Sequence, residues 1–254
     1  MEKLKMKIPF MPEKKAAVVV IDGRTPGKIV NNLVQMGIDI IKTPRCEALY
    51  EAIACHPDIL LHPVNGTDIV VAPNVYEKMK PLLLGIGLNP VMGCTQLKRN
   101  YPDNVAYNVA RVGNIAIHNL KYTDQMVREL LERENVTCIH ANQGYSKCSI
   151  CIVSEKAIIT EDKGIGKIAE KWGIETLMIT PGYIDLQGLA YGFIGGASGV
   201  IDEDKIGFCG SLERHPDYRR IAAFLEKWNK TPVYLYEGNP VDIGSIIPLL
   251  EMAY

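Results

Sequence analysis

The feature that most constrains this chain is an internal repeat. Ile59 to Val64 turns at Asn65-Gly66 into Asp68 to Ala72, and Asn-Gly between apolar runs is the strongest short-range hairpin signal. Tyr107 to Val112 turns at Gly113-Asn114 into Ile115 to His118. Ile150 to Val153 turns at 154–156 into Ala157 to Thr160, and Ser198 to Ile201 turns at 202–204 into Lys205 to Cys209. The turns fall near residues 65, 113, 155 and 203, about 42 to 48 residues apart. A period in that range marks one supersecondary unit used repeatedly.

Each hairpin leads to a segment expected to be helical: Val75 to Leu84, Thr123 to Arg133, Gly166 to Trp172 and Asp217 to Trp228. In the last of these Ile221, Phe224, Leu225 and Trp228 recur at three- and four-residue spacing. A short apolar strand follows each: Leu88 to Met92, Val136 to His140, Glu175 to Ile179 and Pro232 to Tyr236. The chain opens with an incomplete unit: a strand Ala16 to Ile21, a helix Pro26 to Met36 and a strand Ile38 to Lys42. The C-terminal run Ile243 to Leu250 supplies its missing strand, which closes a ring and removes a sheet edge. The expectation is one α/β domain over residues 1–254, built from five ββαβ units.

A chain of 254 residues buries a sizeable core without metal or disulfide staples. Its net charge of −1 argues against nucleic acid as a partner. Lys3 to Lys7 and Lys14-Lys15 read as a solvated tail. The seven cysteines are odd in number, which argues against a secreted disulfide framework and for a cytoplasmic protein. Cys148 and Cys151 form a CxxC without the second ligand pair of a zinc ribbon, and strand alternation points them to opposite faces. No metal or cofactor is expected. No run approaches the roughly 18 apolar residues of a membrane span. Leu82-Leu83-Leu84 reads equally as core or as the face of a homo-oligomer.

Four segments carry a family resemblance: His56-Pro57-Asp58-Ile59-Leu60-Leu61-His62, Gln143-Gly144-Tyr145-Ser146-Lys147-Cys148-Ser149, Tyr191-Gly192-Phe193-Ile194-Gly195-Gly196-Ala197, and Asp242-Ile243-Gly244-Ser245-Ile246-Ile247-Pro248. With the repeat, they resemble an uncharacterised bacterial family of the pentein, or guanidine-modifying, superfamily. That superfamily holds arginine deiminases, dimethylarginine hydrolases, amidinotransferases and non-catalytic ribosome anti-association factors. The resemblance implies a pentein-type five-bladed β/α-propeller closed by the C-terminal strand, with a site at one mouth of the ring. It also implies a cysteine on the closing strand and a histidine at the start of the third unit. This chain has Gly244 and Ser245 at the first place, and Tyr101-Pro102-Asp103-Asn104 at the second.

Equivalent positions around the ring place His56, Asp58 and His62 at the mouth, with Asp103, Asn104 and Asn108, then Gln143, Tyr145, Lys147 and Cys148, then Tyr191 and the stretch Gly192 to Gly199, then Asp242 and Ser245. Convergent polar groups in a concavity point to a ligand site. A Cys148 thiol beside His56 or Lys147 has the surroundings of a nucleophile. Asp58 would orient His56 or accept a cationic group. Asn104, Asn108, Tyr145, Lys147, Asp242 and Ser245 are the expected substrate-binding residues, and Cys94 is a second candidate thiol. The competing readings are structural. A free cysteine such as Cys148 is more commonly a small buried hydrophobe. His56-Pro57-Asp58 is equally a strand cap in which Asp58 bonds nearby backbone N–H groups. His215-Pro216-Asp217 repeats the tripeptide ahead of a helix, where Asp217 reads as a capping acid. The Gly195 to Gly199 run reads as close backbone approach at the axis, since no P-loop Lys-Ser/Thr follows it. Two functions remain: a small-molecule enzyme or binder for a guanidino, ureido or amine ligand, and a non-catalytic interaction module like the ribosome-binding branch, to which Ile206-Gly207-Phe208-Cys209-Gly210 gives a faint likeness.

Overall fold

The computed structural model describes residues 2–253. The first unit holds β1 (Lys3–Lys5), β2 (Ala16–Asp22), α1 (Gly27–Gln35) and β3 (Asp39–Thr43). The second holds α2 (Pro57–Leu60), β4 (Leu61–Pro63), β5 (Asp68–Val71), α3 (Tyr76–Leu84) and β6 (Asn89–Met92), and the third β7 (Ala110–Val112), β8 (Ile115–His118), α4 (Gln125–Arg133) and β9 (Thr137–His140). The fourth holds α5 (Ser146–Ser149), β10 (Ile150–Ser154), β11 (Ala157–Thr160), α6 (Lys163–Lys171) and β12 (Glu175–Met178). The fifth holds β13 (Ser198–Asp202), β14 (Lys205–Phe208), α7 (Tyr218–Lys227) and β15 (Thr231–Tyr234), and β16 (Ile247–Met252) ends the chain.

Units two to five each form a three-stranded sheet with an antiparallel hairpin and a parallel third strand. In the first sheet the order is β1-β16-β2-β3, so the C-terminal strand pairs antiparallel with β2 and supplies the missing strand. The closing strand begins at Ile247 rather than Ile243, because residues 243–246 form a loop in which Ser245 has φ 79°. Lys3–Lys5 is an added edge strand on β16, not a solvated tail, although its side chains stay exposed. The hairpin strands of units two and three are also shorter than expected, β4 starting at Leu61 and β7 at Ala110. In units two and four a helical turn precedes the strand. Pro57 at the first position of α2 presets the helical φ. In α5 the hydroxyls of Ser146 and Ser149 donate to the carbonyls of Gln143 and Tyr145.

The outer helices follow one rule that explains why each unit folds alike. Every long helix buries an i, i+4 apolar pair: Ile29 and Leu33, Met79 and Leu83, Val127 and Leu131, Ile165 and Ala169, Ile221 and Leu225. Each large aliphatic chain so buried contributes roughly 1.5–3 kcal/mol. Each helix then stops at a left-handed residue, Gly37, Gly87, Asn135, Gly173 or Asn229. The next residue donates its N–H to the carbonyl of the second member of the pair, as Ile38 does to Leu33 at 3.1 Å and Val136 to Leu131 at 2.9 Å. That is a Schellman stop, and it turns the chain directly into the parallel strand. Leu83 is buried whereas Leu82 and Leu84 are exposed. Among the described residues no helix is long and apolar enough to cross a membrane.

Candidate active site

The groups at the start of each hairpin meet one another: Ser245 ahead of β16, Asp58 in α2, Asn108 ahead of β7, Cys148 in α5, and the backbone of Gly195-Gly196 ahead of β13. These groups are hydrogen-bonded into one buried girdle. The Cys148 thiol donates to Asp58 Oδ2 at 3.2 Å, and the Ser245 hydroxyl lies 2.7 Å from the same oxygen. Asn108 Nδ2 donates to Cys148 Sγ at 3.1 Å, while its Oδ1 accepts from the backbone N–H of Lys147 and Cys148. Lys147 Nζ donates to Ser245 Oγ at 2.9 Å and lies 5.7 Å from the centre of the Phe10 ring.

The fifth position has no side chain because there is no room for one. A Cβ on Gly196 would lie 2.0 Å from Asp242 Oδ1, and one on Gly195 would lie 2.3 Å from the Ile150 carbonyl. Asp242 is buried against these glycines. Its Oδ2 accepts from the Phe193 N–H and its Oδ1 from the Gly244 N–H, each at 2.9 Å. His56 sits between two carboxylates, with Nδ1 3.8 Å from Asp242 Oδ1 and Nε2 4.0 Å from Asp22 Oδ2. His56 Nδ1 and Asp58 Oδ1 are buried with no hydrogen-bond partner among the described residues. Ligating atoms of His56, Asp58 and Cys148 lie within 4.8 Å of one another.

Burial sets the electrostatics. It raises the Cys148 pKa well above the ordinary thiol value, and the charges of Asp58 and Asp242 push it the same way. Burial also raises the Asp242 pKa, with His56 opposing the shift. Burial lowers the Lys147 pKa, and the neighbouring Asp58 charge opposes it. The Cys148 thiol is therefore held in its protonated form.

Two connected lobes open onto this network. The polar lobe, about 510 Å³, is lined by residues including Asp22, Arg24, Glu51, Arg99, Gln187 and Asp242. The apolar lobe, about 280 Å³, is lined by Ile53, Tyr145, Cys148, Leu189, Tyr191 and Phe193, among others. Tyr50, His56, Leu186 and Asp242 line both. Of the residues singled out from the sequence, Cys148, His56, Asp242 and Tyr145 line the cavity. Asn104 does not line either lobe; it accepts the Tyr145 hydroxyl at 3.0 Å. Asp58, Asn108, Lys147 and Ser245 lie one layer behind the walls.

Other expected residues lie elsewhere. His62 is fully buried beside Phe10, away from both lobes, with ring centres 5.7 Å apart. Asp103 faces Lys98 on the surface, Gln143 donates to Asp162, and Cys94 is exposed. Asp58 bonds side chains rather than its own backbone, so it is not a strand cap. Asp217 stands at the N-cap position of α7 without a side-chain cap bond; it accepts from the Thr180 N–H and from Arg220. Cys148 and Cys151 belong to different core clusters, though not by strand alternation, since Cys148 lies in α5 and only Cys151 in β10.

The main residue missed from the sequence is Asp22, which Arg24 clamps through Nε at 3.0 Å and a terminal nitrogen at 2.7 Å. It ends β2, the second strand of the ring-closing pair. The equivalent place in the fourth unit is Glu161, whose carboxyl burial raises to about 8. Comparing strand ends as well as strand starts would have found both. Leu186 and Gln187 carry no sequence signal, since they arrive on the long connection between β12 and β13.

Residues 20–247 match a family of unknown function, DUF6873. The chain belongs to this family. No curated protein sequence matches it. Among solved structures it is similar to SxtG, an amidinotransferase from Microseira wollei in the saxitoxin biosynthetic pathway, at 12% identity over 91% of each chain with a TM-score of 0.56. It is also similar to the inosamine-phosphate amidinotransferase StrB1 of Streptomyces griseus, at 11% identity over 95% of this chain and 97% of that one, TM-score 0.57. A third is a cysteine-to-serine DDAH variant from Pseudomonas aeruginosa complexed with citrulline, at 7% identity over 87% and 92% of the chains, TM-score 0.56. These are pentein structures, and this member of DUF6873 has the pentein fold.

Proposed function

We propose that this protein binds, and acts on, a small molecule bearing a guanidino, amidino, ureido or amine group at the mouth of the ring, with Cys148 as nucleophile. The observation that carries the reading is a buried carboxylate, Asp242, that lines the cavity beside the Cys148 thiol. Asp22, Asp58 and Asp242 are all buried around His56, yet among the described residues Asp242 has no lysine or arginine partner. A buried carboxylate without a counter-charge is costly, and a planar cation satisfies it. One of the similar solved structures, DDAH, is complexed with citrulline, a ureido compound.

A bound cation against Asp242, which lines both lobes, also offsets one of the two carboxylate charges that hold the Cys148 proton in place. In the reaction the sulfur attacks the central carbon of the guanidinium and forms a C–S bond. One C–N bond breaks, and the thiol proton travels through His56 to the departing amine. Water or a second amine then displaces the sulfur and returns a proton to His56, which restores the thiol. Asn108, donating to Sγ, supports the thiolate along this path. Tyr145, Asp242 and Ser245 act as positioning groups, Ser245 by linking Lys147 to Asp58.

The test is a thermal-shift panel of guanidino, amidino, ureido and primary-amine compounds in buffer containing EDTA. A ligand at 100 times its Kd adds about 2.7 kcal/mol of stability. The expected result is a shift with at least one cationic compound that Asp242→Asn abolishes, and a covalent adduct on Cys148 by mass spectrometry. No shift across the panel overturns the reading.

A further inference from the structure

We propose that His56, Asp58 and Cys148 form a binding site for a thiophilic divalent cation of the zinc class. The proposal rests on ligand geometry and stands whether or not Cys148 turns over a substrate. Tetrahedral zinc, with bonds of about 2.0–2.3 Å, holds its ligand atoms roughly 3.3–3.8 Å apart. Cys148 Sγ and Asp58 Oδ2 are already 3.2 Å apart. The three ligating groups lie within 4.8 Å of one another, so binding requires only a small inward movement of the third.

Two further observations point to an ion. His56 Nδ1 and Asp58 Oδ1 are buried polar atoms without a partner, and such atoms are rare in native structures unless an ion or water satisfies them. Among the described residues nothing hydrogen-bonds His56 Nδ1, so that nitrogen is left to bind the ion. The surrounding shell is also that of a metal site. Asp242 faces one imidazole nitrogen at 3.8 Å and Asp22 the other at 4.0 Å. Whichever nitrogen binds, the other has a carboxylate to receive its N–H, as metal-bound histidines usually do. Asn108 Nδ2 stands 3.1 Å from Sγ, where it stabilises a thiolate.

The charges balance. Cys148 loses its proton to solvent on binding, and the thiolate and Asp58 carboxylate together neutralise a 2+ ion. Thiolate and imidazole ligands select zinc-class ions over calcium or magnesium. Cys148 and His56 both line the apolar lobe, so the fourth coordination position opens toward the cavity and accepts water or a ligand. The bound ion also takes the sulfur lone pair, which makes it a reversible inhibitor of the chemistry assigned to Cys148.

Full-length protein, freed of metal with EDTA and exchanged into chelator-free buffer, is titrated with Co²⁺. The expected result is one equivalent bound with thiolate-to-cobalt charge-transfer absorption, displaced by Zn²⁺. The band is lost in Cys148→Ala and His56→Ala and kept in Cys94→Ala, with folding of each variant checked by circular dichroism. A measurement on the wild type guards against variants that fail to fold: Zn²⁺ slows alkylation of Cys148, located by peptide mass, and leaves Cys94 unchanged. Absence of the band in folded wild-type protein, its persistence in Cys148→Ala, or equal protection of both cysteines overturns the proposal. The guanidino panel is run in EDTA, so failure of either proposal leaves the other standing.

Discussion

Replacing Lys147 by Met removes the one buried cation of the axial girdle and keeps most of its apolar stem against Phe10. Its Nζ reaches Ser245 Oγ at 2.9 Å, and that hydroxyl reaches Asp58 Oδ2 at 2.7 Å, so the two charges are no more than about 5.6 Å apart. At an effective dielectric of about 20 that pair interacts by roughly 3 kcal/mol. Removing one partner of a buried ionic network costs about 3–5 kcal/mol, because the other charge is left uncompensated. The assay is urea unfolding at pH 7 of wild type, Lys147→Met, Asp58→Asn and the double variant. The expected coupling energy is about 2–3 kcal/mol, with Asp58→Asn costing less when Lys147 is already gone. If the single effects add to within about 0.5 kcal/mol, the two groups do not interact and the girdle is not an electrostatic unit.

His62 is buried with both ring nitrogens unpartnered, and burial lowers its pKa to about 3. The unfolded chain therefore binds this proton near pH 6.5 and the folded chain does not, so stability falls as pH drops from about 6.5 to about 3, by up to roughly 1.4 kcal/mol per unit. His62→Leu should flatten that part of an acid-unfolding curve followed by circular dichroism; an unchanged acid midpoint contradicts the assignment. Gly196→Ala places a Cβ 2.0 Å from Asp242 Oδ1 and should cost about 1–3 kcal/mol in denaturant unfolding while abolishing any ligand-induced thermal shift. The control is Gly87→Ala, where φ is +79° but nothing lies within 4 Å. It should cost about 1–2 kcal/mol and leave ligand binding intact.

The units themselves were legible in the sequence because their signals are local. Asn65-Gly66 fixes a hairpin through its own backbone preferences, and an i, i+4 pair such as Val127 and Leu131 marks the buried stripe of its helix. The closing role of the C-terminal strand followed by counting, since the first unit lacked a partner and the last run had none. The repeat also named Cys148, His56 and Asp58 from three positions in two units, by asking which residues stand at equivalent strand starts.

The layer each residue occupies could not be read from spacing. Cys148 and Asp242 reach the cavity, whereas Asp58, Asn108 and Lys147 stand behind its walls, because only the packing of five units around one axis decides which side chain is in front. His62 and Asp58 are four residues apart, yet one faces Phe10 and the other the thiol, since a helical turn at Pro57–Leu60 replaces the expected strand. Asp22 and Leu186 entered the site through contacts across the ring. The sequence by itself determined four hairpin-and-helix units and an incomplete fifth, through interactions of residues close in the chain. Only the tertiary structure decided that three buried carboxylates, an imidazole and a thiol meet at the mouth of the ring, because their proximity comes from ring closure, which brings His56 between Asp22 and Asp242.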